Sequence, residues 1–300
     1  MKRILLCLGA CLSLSSLHAG VVVIGNLART INVKPGEAFE GVVFLKNTDK
    51  QSSDVRLFQT DYMSQADGSN DYGDPGRSPR SNAEWITVSP TRVRLMGGET
   101  RPVRYKGRVP ASSKLSGTYW SMLMVEPLVD AAETPENQPN KVAVGLKTSI
   151  RFGIQLVTEV GKEAKASLQV KDKRLVATPD KHRNLELDIA NDGGRLLIPA
   201  MTVELFDKTG ASVGRFDAGR ARIYPECSVR AKVDLTDIPD GKYAAMVLLD
   251  SGDSQVMGAQ YDLELAPPPP APPASPSATP QGLPMPPPAA PVLASQASVK

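Results

Sequence analysis

Apolar and polar residues alternate along much of this chain with a period of two, and no long segment keeps a helical period. The longest run is VAVGLKTSIRFGIQLV, residues 142–157, in which Val142, Val144, Leu146, Thr148, Ile150, Phe152, Ile154 and Leu156 share one parity. Such alternation predicts a strand with one buried face. Shorter runs precede it: Val21–Ile24, Ala28–Val33, Phe39–Leu45, Asp54–Tyr62, Trp85–Val88, Val93–Met96, Pro102–Tyr105 and Gly117–Val125. Turn residues separate them, as in Lys34-Pro35-Gly36-Glu37 and Gly97-Gly98-Glu99. About eight strands in about 140 residues predict an immunoglobulin-like sandwich.

A second set follows Gly161. It comprises Ser167–Val170, Leu175–Thr178, Leu185–Ala190, Met201–Phe206, Val229–Leu235, Tyr243–Leu249 and Gln255–Leu265. The phrase Ile238-Pro239-Asp240-Gly241-Lys242-Tyr243 resembles the corner of a late sandwich strand. The predicted fold class is therefore all-β, two immunoglobulin-like β-sandwiches in tandem, spanning residues 20–160 and 161–266.

The two ends of the chain read differently. Met1-Lys2-Arg3, an apolar stretch and Leu17-His18-Ala19 have the make-up of a secretory signal peptide over residues 1–19. Leu8-Gly9-Ala10-Cys11 resembles a lipoprotein processing site, but cleavage there leaves only about seven apolar residues before it, so cleavage after Ala19 is preferred. No later stretch has the ~18 apolar residues of a spanning helix. Residues 267–300 hold half of the 26 prolines in the chain and predict a disordered tail that samples polyproline II. Such a tail serves as a solvated spacer, as a ligand for a partner, or as a reach through an envelope layer.

The inventory of chemistry excludes more than it suggests. Net charge is +3 with no lysine or arginine block, which disfavours nucleic acid as a partner. Beyond residue 19 only Cys227 and His182 remain of their kinds, so an internal disulfide and a Cys/His zinc site are both excluded. His182 lies in the polar run PDKHRN, an expected exposed loop, and Cys227 reads as a core or edge thiol. The acidic, glycine-rich tract from Asp61 to Gly76 fails the EF-hand spacing, with Ser78 where the twelfth-position Glu is required, and reads as a long hairpin loop. Trp85 and Trp120 are expected in the core, a sugar-stacking platform being the other reading. No catalytic residue, metal or cofactor is expected, and an enzyme is disfavoured.

Three phrases in order resemble the periplasmic pilus-assembly chaperones, the PapD-like family. They are Trp85-Ile86-Thr87-Val88-Ser89-Pro90 followed by LMGGETRPVRY, the segment from Val109-Pro110 through Tyr119-Trp120 to Glu126-Pro127, and VAVGLKTSIRF, which follows the family's long G1 strand. The resemblance covers roughly residues 21–160. It implies a periplasmic protein that lends this strand to a fimbrial or other exported subunit, with an outer-membrane usher as a further partner. By the same resemblance Val142, Val144 and Leu146 fill the client's groove, while Arg29 and Arg151 anchor the client's terminal carboxylate. Guanidinium suits that role because it stays charged and binds carboxylate through paired hydrogen bonds.

The sequence departs from the family in four places. Ser116-Gly117 stands where an Arg-Glu pair is common, the loop from Tyr62 to Asn82 is long, the second domain carries no matching phrase, and the proline-rich tail is foreign. The alternative function is a structural or adhesive cell-envelope protein built from immunoglobulin-like modules, in which the long strand is paired on both edges. A carbohydrate-binding module is a third reading, resting on exposed tryptophan.

Overall fold

The computed structural model describes residues 20–128, 150–161, 163–177, 182–252 and 256–266. In chain order the strands of the first half are β1 (Val21–Ile24), β2 (Ala28–Val33), β3 (Ala38–Asn47), β4 (Ser53–Thr60), β5 (Met63–Ser64), β6 (Asn70–Asp71), β7 (Ile86–Ser89), β8 (Arg92–Leu95), β9 (Thr100–Arg108), β10 (Gly117–Leu128) and β11 (Phe152–Val160). The second half adds β12 (Leu168–Ala177), β13 (Arg183–Asn191), β14 (Ala200–Phe206), β15 (Ser212–Arg220), β16 (Ser228–Asp234), β17 (Gly241–Asp250) and β18 (Val256–Leu265).

These strands build two β-sandwiches. In the first, a sheet of order β1-β3-β9-β7 faces one of order β2-β11-β10-β4-β8. Val43, Leu45, Val103 and Tyr105 of one sheet pack on Val55, Leu57, Leu123, Val125, Ile154 and Leu156 of the other. In the second, β12-β13-β16 faces β15-β14-β17-β18. Leu185, Leu187, Ile189 and Val233 meet Val203, Leu205, Val247 and Leu249 there. The spacing of these residues at every second position is the direct imprint of the sequence pattern.

Several local expectations are met in detail. The Tyr243 hydroxyl donates to the Pro239 carbonyl at 2.8 Å, the turn-back of a tyrosine corner. Trp120 is buried, and Trp85 is half-buried against the first core. Trp85 closes a short 3₁₀ turn (Ala83–Trp85) rather than opening a strand. His182 is exposed at the start of β13.

Other expectations are corrected. The two segments placed around KDKR are one strand, β12, bulged between Val170 and Asp172. Its charges survive in a strand because Arg174 reaches Glu186 at 3.0 Å and Asp188 at 3.1 Å on β13. The alternation does not predict Ser212–Arg220 as a strand, since two glycines and three charges dilute its pattern, yet it pairs with β14. The tract Asp61–Gly76 is more than a hairpin loop. It carries the small β5–β6 hairpin, and the Asp61 carboxylate gathers the N–H groups of Gly76 (3.1 Å) and Ser78 (2.6 Å) and the Ser81 hydroxyl (2.5 Å).

Candidate functional site

The long run splits at the edge of the described residues. Val142, Val144 and Leu146 lie outside them, as does the tail, and β11 starts at Phe152. It continues past Val157 to Val160, so the strand reaches three residues further than its alternation suggests. Val157 breaks the period because the outer face is covered there as well: it packs with Trp120 and Tyr224. Thr158, next along the inner side, is 1% exposed.

One end of β11 has an open edge. Antiparallel pairing with β10 begins at Phe152, whereas parallel pairing with β2 begins only at Gln155, opposite Ala28. The Gln155 N–H donates to the Leu27 carbonyl at 2.7 Å, which sets the hydrogen-bonding side of that residue toward β2. Backbone polarity alternates along a strand, so Gly153 and Arg151 present their N–H and C=O on the same side. There β2 has already left: the chain crosses from the first sheet at Gly25, whose φ of +91° admits glycine without strain. Among the described residues no strand covers this stretch. Leu27, whose carbonyl takes the Gln155 N–H, is 44% exposed, and Ile150, next to Arg151 in the chain, is 51% exposed.

Arg151 extends from this open end on the outer face of the sheet. Its Nε lies 2.6 Å from Glu126 Oε1, and Arg56 Nη2 lies 2.5 Å from Glu126 Oε2. Arg56 also stacks over the Phe58 ring at 4.7 Å. Two guanidiniums share one carboxylate, so the group carries a net positive charge, and Arg151 at 62% is its more exposed arginine. Sequence alone does not single out Glu126 and Arg56. Their partnership depends on the register that places Glu126 across from Arg56, which no local pattern encodes.

Arg29 and Arg151 come from different strands and different faces of the sheet. Arg29 pairs across from Leu156, five residues beyond Arg151, or roughly 16 Å along the strand. It lies inward against Ile31, Phe39, Tyr105 and Leu156, whereas Arg151 lies outward. Its Nε is buried without a hydrogen-bond partner. The Arg29 side chain reaches back along β2, its Nη2 3.4 Å from where a Cβ on Gly25 would stand, so it leans toward the open end from the inner face while Arg151 stands on the outer one.

At the other end of β11 the polar groups are enclosed. Burial pushes the Glu159 carboxyl up, outweighing the opposing hydrogen bond from the Thr118 hydroxyl and the nearby Arg195, Arg222 and Arg80. The Tyr224 phenol is pushed up to about 12 by burial and donates to Gln155 Oε1 at 2.7 Å. Burial also raises the Cys227 thiol, which is 0% exposed. Among the described residues no group of His, Cys, Asp and Glu is arranged to hold a metal, and no helix is long and apolar enough to cross a membrane.

No protein-family model and no curated protein matches this sequence. Solved structures do. The class 5 fimbriae chaperone CfaA is similar at 13% identity and a TM-score of 0.44, over 83% of this chain and 100% of that one. The CsuC–CsuE chaperone-tip adhesion subunit pre-assembly complex, from archaic chaperone-usher Csu pili of Acinetobacter baumannii, is similar at 16% identity and a TM-score of 0.39, over 71% and 89%. The E. coli chaperone DraB is similar at 16% identity and a TM-score of 0.37, over 82% and 97%. The solved structures similar to this chain thus include chaperones of fimbriae and pili.

Proposed function

We propose that this protein is a periplasmic chaperone that binds an exported fimbrial or surface subunit by β-strand addition along the open end of β11. The observation that carries this reading is the edge at Arg151–Gly153, where backbone donors and acceptors face outward beside exposed Leu27 and Ile150. An apolar edge of this kind is an aggregation hazard unless a partner covers it. In the proposal Val142, Val144 and Leu146 continue the strand and fill the client's groove with alternate side chains. Secretion through the segment 1–19, and an usher as a second partner, belong to the same proposal.

The anchor for a client carboxylate is assigned chiefly to Arg151, the more exposed arginine of the net-positive Arg56–Glu126–Arg151 group. Arg29 is proposed as a secondary anchor, reached by a client that displaces the crossover at Gly25. The test is the affinity of the purified client subunit for Arg151→Ala and Arg29→Ala. Arg151→Ala is expected to weaken the complex by about 2–5 kcal/mol, and Arg29→Ala by less. Unchanged affinity in both variants would remove the anchor.

A further inference from the structure

Two departures from the family pattern, the Ser116-Gly117 step and the long loop after Tyr62, meet in space at the joint between the sandwiches. We propose that the loop 61–82 is an interdomain splint that fixes the angle between them. Tandem domains usually move relative to one another unless the interface is extensive and apolar. Here the joint is sealed by Trp120, Val157, Tyr224 and Cys227, all at most 2% exposed. The Trp120 and Tyr224 rings stack at 4.7 Å between centroids and 24° between planes.

The loop supplies bonds to the second sandwich along its length. The Ser64 N–H meets Cys227 Sγ at 3.5 Å, the Ala66 N–H meets the Ser228 hydroxyl at 2.9 Å, and that hydroxyl donates to Gln65 at 3.0 Å. Further along, Arg80 Nη1 donates to the carbonyls of Thr118 and Gly194, each at 3.2 Å, so one guanidinium ties both sandwiches together. The loop is itself stiff enough to act this way, because Asp61 pins its return limb and the Trp120 indole N–H donates to the Tyr62 carbonyl at 2.7 Å.

The small residues at the joint make the contact close. The Thr118 N–H donates to the Gly194 carbonyl at 2.9 Å, and a Cβ on Gly117 would fall 1.9 Å from that oxygen. A side chain at 117 is thus excluded, and Arg80 Nη1 reaches the neighbouring Ser116 carbonyl at 3.5 Å. Resting on the client reading, the splint presents the open edge of β11 and the second sandwich in one preset geometry, which lowers the ordering cost of binding. The rigidity itself does not depend on that reading.

The test uses the full chain, free in solution, with residual dipolar couplings measured separately for each sandwich. In the wild type both sets fit one alignment tensor. Tyr224→Ala and Arg80→Ala are expected to lose that common fit while each sandwich keeps couplings matching its own fold. Tyr224→Phe, which retains the ring stack, is expected to restore it. Should Tyr224→Ala fail to fold, Arg80→Ala decides the matter. Separate tensors in the wild type, or a common tensor in Arg80→Ala, would overturn the splint. A wild type that keeps the common tensor but binds no exported subunit would count against the client reading only.

Discussion

The two halves of β11 belong to one strand and one alternating pattern, yet they have opposite fates. From Gln155 to Val160 the strand is paired on both sides, with β10 and β2, and the second sandwich covers its outer face. From Ile154 back to Phe152 it is paired with β10 alone, and the residue Ile150 just before it stands in solvent. The difference teaches that a strand's sequence specifies its faces but not its edges. Faces are set by side-chain parity, whereas edges are set by where a neighbouring strand begins, here by the crossover at Gly25.

Charge insertion should separate the halves most sharply. Val157→Asp places a carboxylate among Trp120, Tyr224 and Cys227, and is expected to destabilise the fold by about 3–5 kcal/mol in urea unfolding, the usual cost of an uncompensated buried charge. Ile150→Asp at the open end should change stability by no more than ~0.5 kcal/mol. Equal losses in the two variants would erase the distinction.

A smaller effect is expected at Asn82, which holds the closed half from within. Its Nδ2 donates to the carbonyls of Tyr119 (3.2 Å) and Leu156 (3.0 Å), bridging β10 and β11 where both are buried. Asn82→Ala leaves those carbonyls short of a donor and should cost about 1–3 kcal/mol, with faster amide exchange across Leu156–Thr158.

The smallest expected effect concerns the charged face of the second sandwich. The Asp188 carboxyl is held below its ordinary value by hydrogen bonds from Arg230 and then Arg174, against an opposing burial effect. A depressed folded-state value contributes stability that is present above the unfolded carboxylate value, ~3.9, and is lost as pH falls through the lower folded value. Asp188→Asn should flatten that acid limb, at a cost under ~1 kcal/mol near neutral pH because its partners are partly solvated. Thermal melts of the wild type and the variant between about pH 5 and pH 2 read this directly.

Much of the fold is legible in the sequence because alternation marks a half-buried strand without reference to its partners. Ala28–Val33 is bounded to the residue, and the tyrosine corner is visible in six residues. The strand Ser212–Arg220 is not, because it borrows its burial from β14 and shows only Gly214, Phe216 and Ala218 on its inner side. The site is legible in part. Arg151 stands out as a basic residue in an apolar run, but its partner Glu126 is 25 residues earlier and is brought there by register alone. The joint is illegible for the same reason: Ser64 and Cys227 are 163 residues apart.

The most direct measurement concerns the edge itself. Gly153→Pro removes the one N–H that faces outward between Arg151 and Gln155, leaving the opposite side of the strand to β10. A Cβ on Gly153 would lie 2.8 Å from the flexible end of Met122, which can yield to it. The wild type, used as bait in a periplasmic extract, is expected to retain an exported subunit that Gly153→Pro, with an unchanged melting temperature, does not. Capture of the same subunit by both proteins, or by neither, would contradict strand addition at β11.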